Sequence, residues 1–127
     1  MQISADQSDE ATLSAFGVEA VQLLGAGDMS GLTLRFGYAL AYGRALDVAV
    51  HEDLERCLGE LHASRLVPAA TPGRAKVTYV VADNSGLFAV VEVPVPTDNG
   101  AAVLVELVVS GSGQSKHITL EQLSAAA

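Results

Sequence analysis

AKVTYVVADNSGLFAVVEVPVPTDNGAAVLVELVVSGSGQSKHITL, residues Ala75–Leu120, is the stretch that decides the fold class. Val77, Tyr79 and Val81 alternate with Thr78 and Val80, the period of a strand and not of a helix. Asp83-Asn84-Ser85-Gly86 predicts a turn, and Leu87 to Val93 the returning strand. Pro94 and Pro96 have no backbone donor, so that strand is expected to end there or to lie at an edge. Asp98-Asn99-Gly100 signals a hairpin, because Asn-Gly accepts positive φ. Ala101–Val109 is the most β-prone segment and is expected at the sheet's centre. Gly111-Ser112-Gly113 turns the chain into a short last strand, Lys116–Leu120, with residues 122–127 expected to trail off.

Before this stretch the period is helical. Residues 1–7 read as a loose tail, and Ser8, followed by Asp9 and Glu10, as the cap of a first helix. Leu13, Phe16, Ala20, Leu23 and Leu24 give it one apolar face, and Gly25-Ala26-Gly27-Asp28 stops it. Ser30 is expected to cap a second helix with Leu32, Phe36, Ala39 and Leu40 on one stripe, ended by Gly43, with Gly37 inside it. Asp47 is expected to cap a third, whose stripe is Val50, Leu54, Cys57, Leu58 and Leu61; Glu52, Arg56 and Glu60 form i,i+4 pairs on its solvent side. Pro68, Pro72 and Gly73 make the connection to the strands. The expected fold is α+β: three N-terminal helices on one face of a curved antiparallel sheet of about four strands, a cone with a pocket between the layers.

Bulk properties narrow the function classes. The 127 residues fit a single domain, 1–127, with a core of small aliphatics: 50% hydrophobic residues, 5% aromatic, no Trp. The net charge is −8, and residues 1–64 hold ten Asp/Glu against three Arg. An acidic helical half repels phosphate backbones, which argues against nucleic acid; it reads either as a solubility charge on exposed helix faces or as a field that steers a basic partner in. No apolar run is long enough to span a bilayer, Met1–Glu10 is polar and acidic, and Cys57 stands alone, so a cytoplasmic setting without membrane contact is expected. No cofactor is expected.

Few residues suggest chemistry. Asp47, His51, Glu55 and His62 fall near one helical stripe, but a His-x₃-Glu pair lacks the further ligands of a metal site, and a solvated face is the expectation. Tyr38 and Tyr42 are spaced i,i+4, and Tyr79 could face them; with Asp47 they would form a polar pocket, against the plainer reading of tyrosines covering a small core. Cys57 among leucines reads as buried and inert, and His117 as exposed.

The order helix, Ala26-Gly27-Asp28, helix, helix and strand meander resembles the SnoaL/ketosteroid-isomerase-like class. That resemblance implies a cone-shaped α+β fold and an acidic base on the strands, here Glu92 or Glu106, with Tyr38 or Tyr79 as donor. The class's strand between helices two and three has no room in Tyr42-Gly43-Arg44-Ala45. Glu-Asp-Leu-Glu-Arg56, Leu66-Val-Pro68 and Ala-Val-Val-Glu-Val93 also resemble small bacterial domains of unknown function, and a small, acidic α+β chain without catalytic residues resembles immunity-type proteins and antitoxins. That resemblance implies a non-enzymatic inhibitor whose acidic face, Asp47, Glu52, Asp53, Glu55 and Glu60, meets a basic protein. A homodimer paired through the sheet is the remaining expectation.

Overall fold

In a computed structural model that describes residues 1–67, 75–80, 86–112 and 115–126, the period-two half of the chain becomes a meander of long antiparallel strands. β1 (Gln2–Ser4) and β2 (Lys76–Tyr79) flank β3 (Leu87–Pro96), β4 (Ala102–Ser112) and β5 (Ser115–Ala126), in the order β1-β5-β4-β3-β2. Five strands therefore replace the four expected. The fifth comes from the supposed tail: Gln2–Ser4 pairs with Ser115–His117, and the Met1 ammonium donates to the Ile118 carbonyl at 2.8 Å. Three residues are too few to show a period. The connection with Pro68, Pro72 and Gly73, the end of the first strand at Val81, the turn at 83–85 and Gly113 lie outside the described residues.

Register builds the core. Val91 stands opposite Leu107 and Leu107 opposite Leu120; Val93 stands opposite Val105 and Val105 opposite Leu123. With Ala89, Val95, Val103, Val109 and Ile118 these fill one sheet face, each 2% exposed or less. β5 runs to Ala126 because a bulge at Glu121 resets its alternation: Leu107 pairs with Leu120 but Glu106 with Gln122, so Leu120 and Leu123 both turn inward. The prolines do not end β3. β2 reaches only as far as Lys76 opposite Glu92, so Pro94 and Pro96 occupy a stretch whose outer edge needs no donors, and the Pro96 carbonyl accepts from Val67 N at 2.7 Å.

Three helices cover the Val-Leu face. α1 (Glu10–Gly25) is capped by Asp9, not Ser8: the Asp9 carboxylate accepts from Thr12 N at 3.2 Å and Thr12 Oγ1 at 2.6 Å, while the Ser8 hydroxyl turns back to Ala5 O. α2 (Met29–Phe36) is capped by Asp28 through Gly31 N at 2.9 Å, which places Ser30 inside the first turn. It stops at Phe36 because Gly37 takes φ +74, a conformation open to glycine; the helix does not continue to Gly43. α3 (Leu46–Glu60) buries Ala49, Val50, Leu54, Cys57 and Leu58. Asp47 lies in its first turn and is not its cap, accepting from Val48 N at 2.9 Å.

α1 lies close on β3 because residue 17 is glycine. A Cβ there would stand 2.9 Å from Val93 Cγ2 and 3.0 Å from Val91 Cγ1. The β3–β4 hairpin in turn grips the end of α3. Asp98 accepts from Ser64 N at 2.9 Å, and Asn99 Nδ2 donates to Leu61 O at 2.9 Å and His62 O at 3.1 Å. The backbone amides of Ser64 and Arg65, Ser64 foremost, hold the Asp98 carboxyl below the usual carboxylate range.

Candidate functional site

The acidic residues expected to form one face divide three ways along α3. Asp47 and Glu55, with His51 between them, form a stripe beside the buried face. Glu52 and Glu60 are exposed on the solvent side. Asp53 turns toward the segment between α2 and α3, where Arg44 Nη1 and Nη2 donate to its two carboxylate oxygens at 3.1 and 3.2 Å and the Tyr38 hydroxyl donates to Oδ2. Arg44 also ties its own loop, donating from Nε to Ala41 O at 2.9 Å and from Nη2 to Leu40 O at 2.8 Å. Asp53 is thus a structural latch and its charge is satisfied internally. Burial alone would raise its pKa, but the bonds from Arg44 and Tyr38 outweigh that and hold the carboxyl below its ordinary value. Burial, and then the same bond to Asp53, pushes the Tyr38 phenol up. The ion pairs among the described residues are Arg35–Glu19, Arg44–Glu52 and Arg44–Asp53; the expected Arg56 pairs are not among them.

The Asp47–His51–Glu55 stripe borders a chain of three shallow concavities. One of about 340 Å³ lies between the α2 N-terminus and α3, lined by Asp28, Met29, Asp47, Val48 and His51. A second, about 310 Å³, shares Ser30 and Asp47 with it and adds Leu34 and Leu46. The third, about 470 Å³, shares His51 and Met29 and runs over Leu24, Leu54 and Leu58 to Glu55 and Arg65. Around the Asp47 end the chain leaves large apolar side chains in water: Leu34 is 88% exposed, Val48 48% and Leu46 39%. Leu34, Leu46 and Val48 thus form an open apolar cluster beside the carboxylate of Asp47.

Leu34, Leu46 and Val48 were not singled out by sequence periodicity, although the signal was present. Leu34 lies midway between the buried Leu32 and Phe36, and so off their stripe; Val48 is likewise off the stripe of Val50 and Leu54. An apolar residue off the buried stripe of an amphipathic helix is one the fold has no use for inside.

The remaining candidates disperse. Glu92 and Glu106 stand opposite each other in β3 and β4, between the buried positions 91, 93, 105 and 107, so they project from the sheet face away from the helices. They do not line a space between the layers, which Val and Leu fill. Tyr38 and Tyr42 are not on a helix: Tyr38 is buried on Asp53, whereas Tyr42 has φ +50 and is 81% exposed. Tyr79 does not join them. Its hydroxyl donates to Ser8 O at 2.8 Å and its ring meets Phe88 edge to face. His62 lies beyond α3 with φ +55 and leaves the stripe of Asp47, His51 and Glu55. Cys57 is buried, and burial pushes its thiol up; His117 is exposed. Among the described residues no group of three His, Cys, Asp or Glu is placed to hold a metal ion, and no helix is long and apolar enough to cross a membrane.

Compared with known proteins, the chain matches no family model, no curated protein and no solved structure. Its function must be argued from its own surface.

Proposed function

We propose that this chain is a non-enzymatic protein-binding domain, an immunity-type inhibitor whose α2–α3 face receives a basic partner. The observation that supports this reading is the exposure of Leu34, Leu46 and Val48 around Asp47, at the mouth of concavities bordered by His51 and Glu55. Buried apolar anchors supply most of the binding energy of such an interface, and surrounding carboxylates supply orientation and association rate. The partner-facing set is therefore Asp47, Glu55 and the more distant Glu52 and Glu60. Asp53 acts indirectly, by fixing the segment between α2 and α3.

The test uses the product of the adjacent reading frame, purified and titrated against the chain by calorimetry at about 0.05 M and about 0.5 M salt. Tight binding should weaken on Leu34→Ala at both salt concentrations, whereas Asp47→Lys with Glu55→Lys should weaken it mainly at low salt and flatten the salt dependence. Affinity indifferent to both Leu34→Ala and salt refutes the reading.

A further inference from the structure

The outer face of the sheet carries no described element, yet its composition is not that of a solvated surface. Val90, Pro94 and Pro96 of β3 and Leu104 and Val108 of β4 project there, each only partly buried and outside the core cluster. Register draws one polar row through this apolar field: Lys76, Glu92, Glu106, Gln122. Glu106 accepts from Gln122 Nε2 at 3.1 Å. Glu92, directly opposite Glu106, has no hydrogen-bond or ion-pair partner among the described residues, Lys76 included. Like charges directly opposite on a sheet repel, and a cation placed between them relieves that repulsion.

We propose that this face is a second docking surface, for a partner segment that presents arginine between aliphatic side chains. The guanidinium fork spans Glu92 and Glu106, and the aliphatic groups cover Val90, Leu104 and Val108. A planar cation with several donors fits two adjacent carboxylates better than a point charge does. A second copy of this chain stacked with Glu92 and Glu106 on their own counterparts would shut two carboxylate pairs together away from water, where desolvation and repulsion add, so an arginine-bearing segment is the better match. The surface is independent of the α2–α3 face, since the helices lie on the opposite side of the sheet.

The experiment titrates the full ¹⁵N-labelled chain with the peptide acetyl-Val-Arg-Val-Arg-Val-amide and reads amide shifts residue by residue. Saturable shifts are expected at Val90, Glu92, Leu104, Glu106 and Val108, with none from the same peptide carrying Glu in place of Arg. Glu92→Gln with Glu106→Gln should weaken the peptide about tenfold or more, as expected for loss of charge-assisted bonds. Leu34→Ala should leave peptide binding unchanged, which separates this proposal from the one for the α2–α3 face. The double variant relieves repulsion on a non-core face, so its circular dichroism and urea midpoint should be no lower than those of the parent. Shifts confined to Asp47, His51 and Glu55, no saturable binding, unaltered affinity of the double variant, or a sedimenting dimer closed through Val108 each overturn the proposal.

Discussion

Asp53→Asn should destabilise the fold by about 1–2 kcal/mol, and Asp53→Ala by about 2–3 kcal/mol, because the carboxylate is the acceptor for three donors at once. Arg44 reaches it with both terminal nitrogens, at 3.1 and 3.2 Å, and Tyr38 with its hydroxyl. The Asp53 side chain is 14% exposed, which strengthens the bonds, but Arg44 keeps 32% of its side chain in water. The lower half of the range for charge-assisted hydrogen bonds therefore applies. Asparagine keeps an acceptor for one donor and loses the charge; alanine also leaves the buried Tyr38 hydroxyl without its partner. For a chain of this length each kcal/mol moves the thermal midpoint by about 4 °C, so the alanine variant should melt about 8–12 °C lower.

The assay is urea unfolding followed by circular dichroism at a series of pH values. Asp53 has a folded-state pKa below its unfolded one, so its contribution is fully present above the ordinary carboxylate range and is lost as pH falls through the folded value. The gap between parent and Asp53→Asn should be constant near neutrality and should close below about pH 4. Tyr38→Phe should cost about 1 kcal/mol alone and almost nothing in the Asp53→Ala background. Equal stability of parent and Asp53→Ala, or a gap that persists undiminished in acid, would refute the latch.

Gly17→Ala gains helix propensity of about 1 kcal/mol but forces a methyl against Val91 and Val93, at about 1–3 kcal/mol, so a net loss is expected in the same urea assay; a gain would mean that α1 is free to lift off β3. Cys57, 1% exposed and with its thiol pushed up by burial, should react with an aromatic disulfide reagent about a hundredfold or more faster in urea than in the native state.

The sequence was legible where one period ran long enough to be counted. Strand β3 alternates from Ala89 onward, β4 alternates beside it, and α3 repeats its apolar stripe over fifteen residues, so α3 was readable within a residue or two, while both strands run three residues past the ends expected at Val93 and Val109. Legibility failed where a local rule was overridden by a partner distant in sequence. β1 exists only because β5 offers it an edge, and β5 continues past Leu120 only because a bulge resets its phase. Pro94 and Pro96 stay inside a strand because β2 is too short to need their donors. The site was harder still. Charge was visible in composition, but composition could not tell that Asp53 faces Arg44 while Asp47 borders a groove. The expectation of Glu92 or Glu106 as a base facing the helices fails because the wholly apolar positions 91, 93, 105 and 107 make the opposite face the core, and that alternation was present in the sequence.

The division of the chain into helices first and strands afterwards has a consequence for its biosynthesis. Residues through Glu60 leave the ribosome before any of β3, β4 and β5 does, so the apolar stripes of α1, α2 and α3 then have only each other to pack against. The strand pairing that closes the sheet joins Gln2 to His117, nearly the whole length of the chain. Contacts so distant in sequence slow folding and leave apolar surface open meanwhile. The strong net negative charge of the helical half, whatever partner it meets later, keeps nascent copies apart during that interval.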